Sequence, residues 1–302
     1  MIKRLPSNVI GAIAIFISAL VYATLPILTK VAYATGLQPF YLLWLRYIFA
    51  FLFLMVILFF LKQKIVCFSP MVFIQGVFFI LSGVFFFQCL KYLSAGLCSV
   101  IFFTYPVMVA LLALVFFKEK IGPRLFIGLV LAVSGIILVS GILGDSSVKI
   151  SLKGIIYCIL SSLTYTGHLL IGQKNLKSES SFVLTSTFAF IGIFFIAIFF
   201  GRSPGFLAPL TGTQLVISLL IAILNTVIPI VFLLYGISKI GASRGSLISN
   251  VEPALSIIMA YLILGEVMTP IQMIGSALVL ISMVLALPAE HQDDSISVKL
   301  SR

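Results

Sequence analysis

Ten apolar runs, joined by very short connections, fill most of this 302-residue chain: about 9 to 33, 39 to 61, 71 to 93, 97 to 117, 124 to 144, 152 to 173, 181 to 200, 214 to 236, 244 to 264 and 270 to 288. Roughly 20 apolar residues are needed to cross about 30 Å of hydrocarbon, and each run meets that length. Glycine, proline or a charge marks nearly every junction, as at Gly36 with Pro39, Lys62 with Lys64, Gly122 with Pro123, Gly201 with Pro204, and Thr269 with Pro270. With 62% hydrophobic and 9% charged residues, the chain has too few charges to cover a soluble globule. The expected fold class is therefore all-α integral membrane, with ten transmembrane helices.

The formal net charge of +11 could suggest nucleic acid, but the basic residues stand singly or in twos and threes between apolar runs. They form no continuous basic stripe, so membrane topology explains them better and no nucleic-acid partner is expected. With the N-terminus inside, 13 of the 19 Lys and Arg residues collect on the inner side, which predicts that both termini are cytoplasmic. The basic leader before the first run resembles a signal peptide, but that run continues past twenty residues without a small-residue cleavage site and reads as a retained span. Cys67, Cys89, Cys98 and Cys158 form no C-x-x-C and have no adjacent His, so they read as packing residues, and no metal or cofactor is expected. Ala289 to Arg302 is polar and reads as a disordered cytoplasmic tail, residues 289–302.

The chain also carries one stretch twice. Pro106, Glu119, Pro123 and Gly128 fall on Pro253, Glu266, Pro270 and Gly275 at one offset of 147, without a gap. Upstream, Gly11, Leu20 and Tyr22 fall on Gly154, Leu163 and Tyr165 at an offset of 143, a four-residue change in loop length apart. Each copy holds five spans. An odd number forces the second copy to enter the membrane from the opposite side, so two inverted five-helix repeats are predicted. Units related in this way can exchange conformations and open a central site to each side in turn.

The run ILTKVAYATGLQPFYLLWLRYIFA, with Lys30, Pro39 and Arg46, resembles the first helix pair of the EamA domain. EPALSIIMAYLILGE and YPVMVALLALVFFKE resemble its fourth helix, although the first copy has Lys118 and Glu119 where Gly-Glu is expected. Two such domains, 9–140 and 153–287, would make this a chain similar to the ten-helix members of the drug/metabolite transporter superfamily. The resemblance implies a transporter whose relatives move amino acids, other metabolites or drugs.

Polar groups at membrane depth are costly unless they face protein or water, which makes each a candidate for function. Glu252 lies near the middle of the ninth span, before Pro253, which lacks an N–H and leaves the carbonyl of Ser249 free to join it in holding an amine, a proton or a sodium ion. The alternative is a carboxylate neutralised by a neighbour. Tyr105, its repeat mate before Pro106, and the paired Tyr22 and Tyr165 are possible cavity walls or satisfied packing phenols. Lys30, Arg46 and Lys91 could give an outward cavity a positive lining, or could snorkel to head groups. His168, Gln88, Asn225 and Asn250 complete the polar set; His168 suits a proton relay if wet, or a bond to a helix carbonyl if not. Glu119 and Glu266 cap equivalent helix ends, where the dipole opposes them and a partner across a gate would help. Pro26, Pro106, Pro229 and Pro253 are candidates for gating kinks or packing features. Most of the 28 Phe must face lipid.

These residues point to a secondary-active, alternating-access transporter in the inner (plasma) membrane. It would export small organic metabolites, most readily amino acids or related zwitterions, with a proton or sodium ion as possible coupling partner. Glu252 would hold the amine or proton, and Arg46 and Lys30 the carboxylate. A passive facilitator or channel and a multidrug exporter are alternatives with the same architecture. No P-loop or H-E-x-x-H motif is present, which leaves an integral membrane enzyme as a remote alternative.

Overall fold

The computed structural model describes residues 6–89, 92, 101–117, 122–139, 151–203, 205–264 and 269–286. Glu119, Glu266, Lys91 and the 289–302 tail lie outside the described residues, and the side chains of Pro26 and Lys30 are likewise not described. Helices run in the order α1 (Ser7–Tyr22), α2 (Leu25–Ala34), α3 (Pro39–Phe60), α4 (Pro70–Cys89), α5 (Tyr105–Phe117), α6 (Pro123–Val139), α7 (Leu152–Asn175), α8 (Ser181–Phe200) and α9 (Gly212–Ala222). A π-helical turn (Ile223–Val227) leads into α10 (Ile228–Ile240), followed by α11 (Ala242–Ser249), α12 (Val251–Leu264) and α13 (Pro270–Ala286). Among the described residues, five helical segments are long and apolar enough to cross a membrane: Ser7–Ala34, Pro39–Phe60, Leu152–Asn175, Ser181–Phe200 and Gly212–Ile240. Shorter apolar helices accompany them.

Proline placement explains where the helices start. Pro39, Pro70, Pro123 and Pro270 are first residues of their helices, where a missing N–H costs nothing. Pro26, Pro106, Pro229 and Pro253 are the candidates for gating kinks or packing features. Each stands in the first turn of a helical segment, after a turn at Ala23–Thr24, at Phe103–Thr104 or at Asn250, or directly after the π turn that leads into α10. A proline ring clashes with the carbonyl four residues back, so the helix restarts rather than bends.

Close approach of the helices rests on small residues and hydroxyls. A Cβ on Gly236 would lie 2.3 Å from Ile15 and 2.7 Å from the Gly11 carbonyl, so α1 and α10 meet almost backbone to backbone. There Ser18 Oγ donates to the Pro229 carbonyl at 2.7 Å. Between α4 and α7, Ser161 Oγ donates to the Ser82 carbonyl at 2.8 Å and Ser82 Oγ to the Ser161 carbonyl at 3.1 Å. On α6, Gly135 sits against Gly275 and Val279 of α13, while Gly128 sits against Ser282. Higher numbers on one helix meet lower numbers on the other, so this pair is antiparallel. Lipid offers no hydrophobic drive between helices, and such small-residue seams let backbone and dispersion contacts replace it.

One core cluster links α1, α5, α6, α7, α10, α11, α12 and α13; a second links α3, α4, α8 and α10. Tyr165 packs against both clusters and sits where they meet. The outer surface is apolar, with Phe59, Phe60, Phe116, Ile198 and Phe199 all exposed. Phenylalanine runs facing outward are what a lipid-facing surface requires.

Candidate functional site

The sharpest candidate, Glu252, is the second residue of α12, just beyond the break at Asn250. Free N–H groups at that end favour an anion, so the break that restarts the helix also creates a place for a carboxylate inside the bundle. The sequence reading put Glu252 within a continuous helix; the restart is the correction, and Pro253 is its physical cause. Asn250 is itself tied across the bundle, its Nδ2 donating to the Phe103 carbonyl at 3.3 Å. That carbonyl belongs to the equivalent break before α5. Among the described residues, no cation or hydrogen-bond donor holds the Glu252 carboxylate.

Three phenols surround it. Tyr22 on α1, Tyr105 on α5 and Tyr165 on α7 all lie within electrostatic range of Glu252. Ser249, at the end of α11, donates its hydroxyl to the Gly245 carbonyl at 3.0 Å. The rings form a wall: Tyr105 and Tyr165 meet edge to face with centroids 4.8 Å apart, and Phe102 lies 5.4 Å from Tyr165 and 5.5 Å from Tyr105. His168, one turn along from Tyr165, extends the wall at 5.8 Å, backed by Phe79 at 5.0 Å and Phe188 at 5.1 Å.

Arg46 reaches the other side of Tyr22. Its Nε donates to Thr226 Oγ1 and its Nη2 to the Asn225 carbonyl at 2.6 Å. The Asn225 carbonyl is the one that Pro229, four residues on, cannot serve. The π turn and the guanidinium therefore solve one problem together: the turn exposes the carbonyl, and Arg46 satisfies it. Asn225 Nδ2 in turn donates to the Val21 carbonyl and to Thr24 Oγ1, both at 3.1 Å, stitching the break between α1 and α2 to the π turn.

A second polar cluster lies between α4 and α7. Asn175 Nδ2 donates to Gln75 Oε1 at 2.7 Å, and His168 Nδ1 lies 3.3 Å from the Gln75 carbonyl. His168 Nε2 and Gln75 Nε2 are buried without a described partner.

Of the residues singled out from sequence, Glu252, Tyr22, Tyr105, Tyr165, Arg46, Asn225 and His168 thus converge. Gln88 does not: it stands at the far end of α4, beside Cys89, which packs on Cys158. Gln75, Asn175, Thr24 and Thr226 joined the polar network unannounced. Threonine and serine in an apolar run usually bond their own helix, so only the fold reveals that these meet a neighbouring element. On the surface, Lys64 Nζ pairs with Glu179 Oε1 at 2.5 Å, and Ser180 Oγ donates to Gln63 Oε1 at 2.7 Å. The hydrogen bond to Glu179 pushes the Lys64 ammonium above its ordinary range.

Broken helices meeting around one half-buried carboxylate, in a bundle with a lipid-facing surface, define a multi-pass helical membrane protein with an internal polar site. Residues 9–141 and 152–287 match the model of the EamA-like transporter family, and the chain belongs to that family. It is 29% identical over 188 residues to the uncharacterized transporter YdfC of Bacillus subtilis, a match covering 61% of this chain and 60% of that protein. The uncharacterized transporter sll1319 of Synechocystis sp. is 27% identical over 202 residues, covering 65% and 60%. An uncharacterized transporter of Archaeoglobus fulgidus is 25% identical over 192 residues, covering 63% and 67%. The chain therefore spans about 60% of the length of the first two relatives. A crystal structure superposes with a TM-score of 0.79 at 15% identity, covering 94% of this chain and 97% of the other, so the fold is shared.

Proposed function

We propose that this protein is a secondary transporter of the inner (plasma) membrane that works by alternating access. It exports small organic metabolites bearing an amino group, amino acids and related compounds first among them, with a proton or sodium ion as coupling partner. In this reading ten spans form two inverted repeats, 9–140 and 153–287, both termini are cytoplasmic, and the chain is not an enzyme.

One observation carries the reading: helix contacts repeat with the halves exchanged. Moving Ser18 by 143 residues along the chain and Pro229 back by 147 gives Ser161 and Ser82, the other serine-to-carbonyl pair across a helix seam. The contact of Gly135 with Gly275 turns in the same way into that of Ser282 with Gly128. The Asn250 to Phe103 bond joins two residues 147 apart and so maps onto itself. Exchange of this kind is a two-fold relation. Because it relates antiparallel neighbours, its axis is perpendicular to them and lies in the membrane plane. Inverted repeats around a site built from broken helices are the architecture of alternating carriers. The site itself supports an amine-bearing substrate, since among the described residues the Glu252 carboxylate has no partner.

Purified protein in liposomes, loaded with an amino-acid mixture and presented with trace radiolabelled amino acids, tests this. A carrier shows saturation and trans-stimulation, whereas a channel shows neither. Glu252→Gln is expected to stop transport or to remove its pH dependence; an unaltered pH profile takes Glu252 out of the mechanism.

A further inference from the structure

We infer that Lys64 and Glu179 form a weak ionic latch, which ties the two repeats together on one face of the molecule, covers the Cys67 thiol and parts when that face opens. The inference rests on the transporter reading above, on which this face is the cytoplasmic one, and names the contact that regulates access from it.

Two short connections meet here. The one after α3 belongs to the first repeat and the one after α7 to the second. Lys64 Nζ pairs with Glu179 Oε1 at 2.5 Å and Ser180 Oγ donates to Gln63 Oε1 at 2.7 Å, so adjacent residues of one loop hold adjacent residues of the other. Behind them Cys67 Sγ donates to the same Glu179 oxygen at 3.4 Å, and the Cys67 N–H donates to Thr187 Oγ1 of α8 at 3.0 Å. Exposure falls inward over these few groups: the Lys64 side chain is 53% exposed, that of Glu179 12%, and Cys67 and Thr187 are buried. The ion pair is thus the outer layer of a seal, with the thiol beneath it.

The internal repeat shows what is particular to this face. Moved by 143 residues, the connection after α3 becomes the one after α8, and Lys62 falls on Gly205. Both stand in the left-handed region, at φ 52° and 75°, so both connections leave their helices by the same kind of turn. The exchanged contact is present at the opposite end of α3, where Tyr41 Oη donates to the Ala208 carbonyl at 3.2 Å and Gln214 Nε2 to the Thr35 carbonyl at 2.7 Å. There, positions 64 and 179 map to Leu207 and Gly36, so that contact is neutral and rests on backbone carbonyls. One end is closed by charge and the other without it. An exposed ion pair contributes little and is screened by salt, unlike the buried serine seams, which suits it to a contact that forms and breaks in every cycle.

Native cysteines supply the test. With the full chain in nanodiscs, N-ethylmaleimide alkylation of Cys67, Cys89 and Cys158 is followed peptide by peptide by mass spectrometry. When the loops part and close faster than the reagent reacts, the rate at Cys67 reports the open fraction. Glu179→Gln and Lys64→Gln should each speed Cys67 about two- to fivefold, the range such a pair allows, and molar potassium chloride should speed wild type likewise while leaving both variants unchanged. Removing the carboxylate and removing the ammonium shift the reactivity of the thiol itself in opposite senses, so only loss of the tie accelerates both. Cys89 and Cys158, buried elsewhere in the bundle, should keep their rates. Carbodiimide, which joins an amine to a carboxylate in contact, should couple Lys64 to Glu179. Coupled protein should lose amino-acid counterflow, whereas treated Glu179→Gln, which cannot be coupled, keeps its untreated rate. Wild-type alkylation of Cys67 in either variant, absence of the coupled peptide, or counterflow that survives coupling would overturn the latch. So would equal acceleration at all three cysteines, which would make the pair a tie needed by the whole fold. The alkylation arm needs no transport, so a failed carrier reading and a failed latch are told apart.

Discussion

Arg46 shows how a single charged side chain can be structural at membrane depth. Its guanidinium takes up the Asn225 carbonyl, which Pro229 cannot serve, and holds Thr226 at the same time. Arg46→Met should therefore destabilise the protein by about 1–3 kcal/mol, the cost of an unsatisfied buried acceptor, measured as a shift in the SDS-unfolding midpoint. Arg46→Lys should recover little of this, because a point ammonium does not reproduce the planar fork that holds both acceptors. Lys64 makes the contrasting case at the surface. Its hydrogen bond with Glu179 raises the ammonium above the ordinary 10.5. A raised cation contributes stability that is fully present below its unfolded value and is lost as pH rises through the folded one. Wild type and Lys64→Gln should therefore differ at neutral pH and converge only well above pH 10.5. High salt should narrow the difference, since an exposed pair is screened. Thermal melts across pH and salt read both effects.

At the scale of the helix, the seams are set by side chains that are nearly absent. A Cβ on Gly135 would stand 2.8 Å from the Gly275 carbonyl and 2.7 Å from Val279, both on a packed neighbour. Gly135→Val must push α6 away from α13, at a cost of about 1–3 kcal/mol in resistance to SDS unfolding. Gly83, with nothing within 4 Å, should accept alanine without such a penalty. The serine seams give a matched pair. Ser18→Ala and Ser161→Ala should each cost about 1 kcal/mol, and the double variant their sum, because the two bonds lie on different helix pairs. A double-mutant cycle in detergent checks the additivity.

For the whole molecule, the proposed inversion fixes which loops share a side of the membrane. Ser147→Cys, in the connection between the repeats, should react with an impermeant maleimide from outside intact cells. Lys177→Cys, between α7 and α8, should react only after the membrane is opened. Both labelling from the same side would remove the inverted arrangement, and with it the alternating-access mechanism. The site belongs to this scale too, since Glu252, Tyr22, Tyr105 and Tyr165 come from four different helices and become neighbours only when the two repeats are packed together.

Apolar run length, the proline and glycine punctuation and the 147-residue repeat are local properties of the chain, and they suffice for a helical membrane protein, while the family shows in the match of residues 9–141 and 152–287 to the EamA-like model. They also single out Glu252 and its phenolic neighbours, because a polar group in an apolar run is conspicuous wherever it ends up. What they cannot carry is the identity of partners. Pro253 marks where a helix restarts, but that the break at Asn250 is tied to Phe103, 147 residues away, is visible only in the fold. Arg46 looks like a substrate anchor along the chain and turns out to be occupied, because the carbonyl that occupies it lies on another helix. Hydrogen bonds between distant elements depend on which faces the packing brings together, and only the tertiary structure settles that.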